Sequence, residues 1–341
     1  MVTRFAAGRE SAMIRRLLGN VLLCLGGVVG LGSAAHAQFP QTPITVVVPF
    51  AAGGPTDKVA RDLADALRKT LGIGAVLVEN VVGAGGTLGA AKVAKAAPDG
   101  YTVLLHHVGM ATAPALFRKL PFNTLADFEF LGMINEVPMT LIGRPGLPAS
   151  NLTELRQWVH DNQGRINLAT AGLGAASHLC GLLIQQRFGV TMNTVSYKGT
   201  APAMADLLAG QVDLMCDQTT HTSGQIEPGR IRAYAVTSLQ RLNTPALAKL
   251  PTLHESGMAG LQVTIWHGLY APKGTPAAVV NKLNLALRAA VQDPTFVQQQ
   301  QALGATLISD ARLTPAGHKK FVESEITRWG QTMRATGQFV D

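Results

Sequence analysis

The feature that most constrains the fold is a strand–turn–helix sequence at residues 44–67. Residues 44–48 form an apolar run rich in β-branched side chains, as in a buried strand. A small-residue turn with Gly53 and Gly54 follows, and residues 58–67 then place apolar side chains at helical spacing. The first N–H groups of such a helix have no intrahelical acceptor, and the helix dipole favours negative charge beside them. The turn therefore predicts an anion site.

The anion predicted at this turn is a carboxylate. The turn lacks the Gly-x-x-x-x-Gly-Lys-Ser/Thr pattern of a nucleotide-binding loop. The formal charge of the chain is +8, and an excess of positive charge suits an anionic small molecule. The basic residues form no runs and are not interleaved with aromatic residues, so nucleic acid is a poor fit as a partner.

The N-terminal residues have the pattern of an export signal. An arginine pair at residues 15–16 precedes an apolar run at residues 17–31, and the small-x-small pattern Ala-His-Ala ends at Ala37. We expect cleavage there, which removes a signal peptide of residues 1–37 and places the mature protein in the periplasm. The removed part holds four arginines and one glutamate, so the formal charge falls from +8 to +5. An uncleaved anchor is the alternative, which the short, Gly-rich run disfavours.

Strand-like and helix-like segments alternate along the rest of the chain, which predicts α/β layers with mainly parallel strands. A second such set follows a cluster of helix and strand breakers at residues 143–148. The chain is expected to cross between two lobes twice, near residues 144–148 and near residues 262–266. Ligands of such sheets lie outside the carboxyl ends of the strands, so the glycine turns of both lobes should face one cleft.

The individual elements follow from periodicity and capping residues. A helix capped by Asn151 is expected after the breaker cluster. Two closing helices are expected near residues 276–291 and from Pro315, with Thr314 as the cap of the second. Cys180 and Cys216 remain after signal removal, and their spacing leaves both a disulfide and free thiols open. The predicted strands are residues 44–48, 75–79, 101–107, 139–142, 166–170, 194–197, 212–215, 232–236 and 263–270.

Several short motifs resemble one known family along essentially the whole mature chain. They include the first turn at residues 48–57 (Val-Pro-Phe-Ala-Ala-Gly-Gly, then Asp57), residues 83–86 (Gly-Ala-Gly-Gly) and residues 97–102 (Ala-Pro-Asp-Gly-Tyr-Thr). The others are residues 197–199, 210–215, 235–238 and 271–276. In this order they are similar to the Bug (Bordetella uptake gene) receptors, the extracytoplasmic solute-binding proteins of tripartite tricarboxylate transporters.

The resemblance implies an α/β, two-lobed, periplasmic-binding-protein-like fold of type II, with two crossovers and a ligand cleft at the lobe interface. Residues 38–145 plus 263–341 would form the first lobe and residues 146–262 the second. The implied ligand is a small organic carboxylate, which includes dicarboxylates, tricarboxylates, acidic amino acids and aromatic acids. The implied partners are the membrane subunits of the transporter and, by family analogy alone, a sensor kinase. We expect a monomer without a cofactor, a metal or catalytic activity.

The resemblance also assigns ligand-binding positions, residue by residue. Each lobe contributes a strand-to-helix turn, and the first lobe adds the end of its third strand. The first-lobe positions are Phe50, Ala51, Gly53, Gly54, Thr56, Asp57, His106, His107 and Val108. The second-lobe positions are Gly172, Ala175, Ser177, His178, Tyr197 and Asp217.

This sequence departs from the family at three places: Pro55 replaces a common serine, a His-His pair stands at residues 106–107, and Cys216 replaces an aromatic residue. The adjacent histidines on a strand should point to opposite faces, with one of them toward the cleft. Asp57 is expected to order its turn or a bound water, because a carboxylate there would repel an anionic ligand. For Tyr197 the alternatives of ligand contact and core packing stay open.

Two other function classes stay in competition with transport. An exported hydrolase or lyase could use Ser177, His178 or Asp217, but no Gly-x-Ser-x-Gly elbow surrounds the serine. An exported ligand sensor without a transport role cannot be separated from a transport receptor by sequence. The identity of the carboxylate is also left open.

Overall fold

The computed structural model describes residues 39–336, so the predicted signal peptide and its cleavage site lie outside the described residues. All the elements belong to one compact unit that begins at Thr42. Its strands are β1 Ile44–Val48, β2 Val76–Asn80, β3 Thr102–His107, β4 Phe128–Gly143, β5 Asn167–Thr170, β6 Asn193–Ser196, β7 Leu214–Gln218, β8 Arg232–Val236, β9 Thr264–Pro272 and β10 Thr306–Leu307.

Helices connect most of the strands and begin directly after strand ends in both parts of the sheet. Short 3₁₀ turns cover Ala84–Gly86 and Ala311–Leu313. The α-helices are α1 Pro55–Leu71, α2 Thr87–Ala94, α3 Gly109–Leu116, α4 Leu152–Asp161, α5 Ala176–Phe188, α6 Thr200–Leu208, α7 Thr219–Ile226, α8 Ala277–Ala290, α9 Pro294–Ala302 and α10 Pro315–Thr336.

The ends of the sheet are parallel and its centre is antiparallel. The strand order is β2-β1-β3-β9-β4-β7-β5-β6, and β8 and β10 also pair with β4. The pairs of β1 with β2 and β3, and of β5 with β6 and β7, are parallel. Every described pair made by β4 or β9 is antiparallel. The prediction of mainly parallel strands therefore holds only at the two ends, because the long strands that cross the centre run the other way.

Strand β4 joins the two parts of the sheet. Its residues up to Pro138 pair with β9, and from Met139 onward it pairs with β7 and β8. The hydroxyl of Thr237 accepts from the Met139 amide at 2.8 Å and donates to the Val263 carbonyl at 2.6 Å. It thus ties β4 to the segment by which the chain returns to the first part. We call the strands around β1 and β9 the first part and those around β5 and β7 the second part; the predicted lobe boundaries stay a prediction.

Local capping signals were read correctly from the sequence at two helices. Asn151 caps α4 by accepting a hydrogen bond from the Glu154 amide at 2.9 Å. Thr314 does the same for the Gly317 amide at 3.1 Å, and Pro315 is the first residue of α10. Among residues 39–336, none of the helices is both long and apolar enough to span a bilayer.

A disulfide joins Cys180 of α5 to Cys216 of β7, with Cα atoms 6.0 Å apart. Both cysteines are fully buried. The bond fixes the first half of α5 against the strand that ends at Asp217 and Gln218. The sequence left both a disulfide and free thiols possible for these two cysteines, and the structure shows the disulfide.

Candidate functional site

A narrow cavity of about 20 Å³, which is room for about one water molecule, lies between the first and second parts of the sheet. We call it the inner cavity. The first part and β4 contribute Phe50, Pro55, Thr56, His107 and Met139, and the second part contributes Ala171, Ala175, Ala176, Ser177, Thr200, Asp217 and Gln218.

Four helices begin at the inner cavity. Pro55, Ala176 and Thr200 are the first residues of α1, α5 and α6, and Gln218 directly precedes α7. The early amides of a helix lack intrahelical acceptors, and each N-terminus carries roughly half a positive charge. Neither lysine nor arginine is found among the described residues that line the cavity. An anion inside it would therefore be held by main-chain dipoles and neutral side chains.

The first turn is ordered by Asp57, and both of its carboxylate oxygens accept hydrogen bonds from other groups of the protein. One oxygen accepts from the Gly53 amide at 2.9 Å and from Arg61 at 2.8 Å. The other accepts from Arg61 at 3.0 Å and from the Asn80 amide group at 2.9 Å. Burial opposes ionisation, but these hydrogen bonds outweigh it and lower the pKa of Asp57. The geometry supports the prediction that Asp57 orders the turn.

The two histidines at the end of β3 do not point to opposite faces, so that prediction is wrong. Their ring centroids lie 4.9 Å apart, and both rings pack on Phe50, at 5.6 Å for His106 and 4.6 Å for His107. Both histidines lie within β3, but their rings turn toward the same aromatic neighbour, Phe50. His107 lines the inner cavity, whereas the ring of His106 lies close to Gly86.

Both imidazoles are fixed by backbone amides. Nδ1 of His106 accepts from the His107 amide at 2.8 Å, and Nδ1 of His107 accepts from the Gly109 amide at 2.9 Å. Burial lowers the pKa of His107 to about 3 and lowers the pKa of His106 well below its ordinary value. Both rings are therefore neutral at pH 7.

The second turn, which leads into α5, is ordered by neutral side chains. The Ser177 hydroxyl accepts from the Ala171 amide at 2.7 Å, and Nδ1 of His178 accepts from the Gly174 amide at 3.2 Å. Burial lowers the pKa of His178, so this ring is also neutral. The Ser177 hydroxyl does not contact His178, and the arrangement is one of turn support.

The turns of the two parts are in direct contact. The Ala51 amide donates to the Lys198 carbonyl at 3.3 Å. A Cβ placed on Gly85 would lie 2.1 Å from the carbonyl oxygen of Leu173, and one on Gly172 would lie 3.3 Å from the Gly85 Cα. Such an approach requires glycine, since any side chain would meet the opposite backbone. The prediction that the glycine turns of both parts face one cleft is therefore confirmed.

Asp217 and Gln218 close the cavity from the end of β7. The Asp217 carboxylate accepts from the Gln218 amide at 2.8 Å and pairs with Nδ1 of His221 at 2.5 Å. Burial opposes protonation of His221, but attraction to Asp217 outweighs it and raises the pKa of His221. The side-chain oxygen of Gln218 is buried without a hydrogen-bond partner among the described residues. A buried acceptor of this kind is available to a ligand.

A larger groove of about 500 Å³ adjoins the inner cavity, and Phe50 and Ala171 line both spaces. We call it the outer groove. Gly172 and Tyr197 line this groove, not the inner cavity. The Tyr197 hydroxyl donates to Asp206 at 2.6 Å, and burial together with that carboxylate raises the pKa of Tyr197 to about 12.

The predicted site residues therefore fall into three groups. Those lining the inner cavity are Phe50, Thr56, His107, Ala175, Ser177 and Asp217. Gly172 and Tyr197 line the outer groove. The residues outside both described linings, which support the turns or the strand end, are Ala51, Gly53, Gly54, Asp57, His106, Val108 and His178.

Sequence reasoning missed Thr200, Gln218 and His267. Thr200 and Gln218 line the cavity at helix starts, and each follows a predicted strand, so the strand-to-helix signal could have found them. His267 lies behind Thr56, with Nε2 3.4 Å from the Thr56 hydroxyl. It faces His107 across the β3–β9 pair, a register that local sequence patterns do not specify.

Residues 59–338 match the family described as the tripartite tricarboxylate transporter family receptor. The chain belongs to this receptor family. It is 43% identical over 304 residues to the UPF0065 protein in the TAR-I ttuE-ttuC' intergenic region of Agrobacterium vitis, covering 89% of this chain and 87% of that one. The resemblance to the Bug receptors that the motifs indicated is thereby confirmed.

Solved structures of receptors from this family agree with the fold. The structure of the periplasmic binding protein BugD is 48% identical, with a TM-score of 0.84 over 88% of this chain and 99% of that one. MatC from Rhodopseudomonas palustris, solved with bound malate, is 38% identical, with a TM-score of 0.82 over 86% of this chain and all of that one. The predicted α/β, periplasmic-binding-protein-like fold is confirmed.

Proposed function

We propose that this receptor captures a small organic carboxylate in the inner cavity and delivers it to the membrane subunits of a tripartite tricarboxylate transporter. The observation that carries the proposal is the convergence of the N-termini of α1, α5, α6 and α7 on one cavity without lysine or arginine among its described lining residues. Main-chain amides hold a carboxylate without the fixed geometry of an arginine pair. MatC, a neighbour of similar fold, was solved with malate.

Capture would require the two parts of the sheet to separate and then close around the ligand, because the cavity as it stands has room for about one water molecule. The cavity is lined from both parts, so a ligand contacts all of its partners only in the closed state. That difference in affinity shifts the population toward closure. The membrane subunits would then recognise the closed form. A periplasmic location, after removal of residues 1–37, and a monomeric state belong to the same proposal.

A hydrolase receives less support from the geometry. The Ser177 hydroxyl, the His178 ring and the Asp217 carboxylate bond to the Ala171 amide, the Gly174 amide and His221, respectively, and not to one another. A nucleophile needs a base within hydrogen-bond reach. We therefore propose binding without turnover. An exported sensor that works through a kinase would bind the same ligand in the same way.

The test places a carboxylate in the cavity without disturbing the helix. Ala176→Asp adds a negative charge at the first residue of α5, where a helix accepts it but a bound anion does not. Ala277→Asp, at the exposed first residue of α8, is the control for the added charge. Because Ala176 is buried, thermal unfolding is measured as well, to show that Ala176→Asp is folded. Isothermal titration with a panel of carboxylates should show loss of binding, by at least tenfold, for Ala176→Asp and wild-type affinity for the control. Equal affinity in both variants would contradict the proposal.

A further inference from the structure

A chain of buried polar side chains runs from α1 to the inner cavity. The Gln300 amide group donates to Asp62 at 2.7 Å, and the Asn135 amide group donates to the Gln300 oxygen at 2.9 Å. The Asn135 oxygen lies 2.8 Å from Nδ1 of His267, and Nε2 of His267 lies 3.4 Å from the hydroxyl oxygen of Thr56. All five residues are buried. Thr56 is the member of this chain that lines the cavity.

The carboxylate of Asp62 fixes the direction of every hydrogen bond in this chain. Asp62 is ion-paired with Lys58 and can only accept, so Gln300 must turn its NH₂ group toward it. The Gln300 oxygen then faces Asn135, which must donate its own NH₂ group. The Asn135 oxygen is left to accept from His267, so the proton of this imidazole is on Nδ1.

The tautomer of His267 in turn decides what Thr56 offers to the cavity. Burial lowers the pKa of His267 well below its ordinary value, so the ring is neutral and its Nε2 carries a lone pair. The hydroxyl proton of Thr56 satisfies that lone pair, because leaving a buried acceptor without a partner is costly. The oxygen of Thr56 therefore presents lone pairs, not a proton, to a ligand.

Two hydrogen-bond donors line the same cavity as Thr56. The hydroxyl oxygen of Ser177 accepts from the Ala171 amide, so its own proton is free to donate. Nδ1 of His107 accepts from the Gly109 amide, so the neutral ring carries its proton on Nε2. Donors suited to a carboxylate and an acceptor suited to an O–H group thus line the same small space.

We propose that Thr56, oriented by His267, accepts a hydrogen bond from a hydroxyl group of the ligand, so that the receptor prefers hydroxy carboxylates to the corresponding acids without the hydroxyl. The inference rests on the proposed function. A hydroxyl fits better than an ammonium group, because the negative charge of Asp217 is already paired with His221. His267 acts here as a positioning residue behind Thr56.

The first experiment compares malate with succinate, which differ by one hydroxyl group, by isothermal titration. We expect malate to bind the wild type roughly tenfold more tightly, the difference made by one satisfied hydrogen bond. Thr56→Val should abolish this preference, so that the two acids bind with equal affinity, whereas Thr56→Ser should keep the preference. Equal binding of the two acids by the wild type, or tighter binding of aspartate than of malate, would overturn the inference.

The second experiment tests the role of His267. His267→Phe removes the acceptor for the Thr56 proton and should reduce the malate preference to less than about threefold. His267→Gln can donate to Asn135 and accept from Thr56, so it should restore the preference. A purely structural role would change both affinities together in both variants and leave the ratio unchanged, which would overturn the assignment.

The experiments separate the proposed function from the role of Thr56 and His267. If no carboxylate in the panel binds the wild type, the proposed function and this inference fall together. If carboxylates bind but the hydroxyl makes no difference to affinity, only the role of Thr56 and His267 falls.

Discussion

The two turns that open onto the inner cavity do the same task with different chemistry. The turn before α1 is held by a buried carboxylate that accepts four hydrogen bonds, two of them from an arginine. The turn before α5 is held by a hydroxyl and a neutral imidazole, each of which accepts from one backbone amide. A turn next to an anion site can therefore be ordered by a negative charge, provided that both oxygens of the carboxylate accept hydrogen bonds from groups of the protein itself. The first turn should therefore be the more sensitive to mutation and to acid.

The largest effect is expected from Asp57→Ala. It leaves the Gly53 amide and Asn80 without their acceptor. We expect the free energy of unfolding to fall by about 2 to 3 kcal/mol. The loss is smaller than for a fully buried ion pair, because Arg61 is half exposed. Asp65→Ala, on the exposed face of the same helix, is the control and should change little. Urea unfolding measures both. A loss below about 0.5 kcal/mol for Asp57→Ala would remove the distinction between the two turns.

Acid should act on the first turn in the same direction. The pKa of Asp57 is lowered in the folded state, so its stabilising contribution is present above the unfolded pKa of 3.8 and is lost as the pH falls through the folded value. The difference in Tm between the wild type and Asp57→Asn should therefore shrink as the pH is lowered below about 4. A difference that stays constant from pH 6 to pH 2.5 would contradict this.

The next largest effect is expected where Gly85 of the first part meets the Leu173 carbonyl of the second part. Gly85→Ala puts a Cβ against the Leu173 carbonyl at a positive φ of 61°. It should weaken ligand binding at least tenfold, because the parts can no longer approach. Gly72→Ala is the matched control, since its φ is 65° and nothing lies within 4 Å of the added Cβ. Both should lose about 1 kcal/mol of stability from the left-handed conformation. Similar affinities in isothermal titration would show that this contact does not control closure.

A smaller effect is expected from Ser177→Ala in the second turn. The Ala171 amide loses its acceptor, which should cost about 1 kcal/mol in stability, less than the loss at Asp57. Ser324→Ala, at an exposed position of α10, is the control. If Ser177→Ala costs as much as Asp57→Ala in urea unfolding, the two turns do not differ in the way described above.

The smallest effect is expected at the Asp217–His221 pair, beside the second turn. Attraction to Asp217 raises the pKa of His221 above 6.5 despite its burial. The stability that protonation adds is therefore present below pH 6.5 and is lost as the pH rises through the folded value. Relative to His221→Asn, the wild type should lose up to about 1 kcal/mol between pH 6 and pH 9. A difference that grows over this range would contradict the ion pair.

Much of the site could be predicted from the sequence because its signals are local. The apolar run, the two glycines and the helical spacing at residues 44–67 correspond to β1, the first turn and α1. The ordering role of Asp57 follows from its place in the first helical turn. Caps such as Asn151 and Thr314 also depend on neighbouring residues only, and the structure confirms both.

The parts that sequence reasoning missed depend on pairing between distant segments. Strand β4 is 16 residues long, but only residues 139–142 were predicted as strand, because its first half is buried on both faces and shows no alternation. The place of His267 behind Thr56 depends on the register of β3 with β9. The convergence of His106 and His107 depends on their shared contact with Phe50, a residue far away in the sequence. Local patterns specify none of these.

Backbone amides from both turns are proposed to hold the same carboxylate, and NMR of those amides can observe both turns in one titration. In a titration with malate, the amide resonances of Thr56 and Ser177 should shift together and saturate at the same ligand concentration, while exposed amides of α8 stay in place. Shifts confined to one turn, or confined to residues of the outer groove such as Tyr197, would contradict the account.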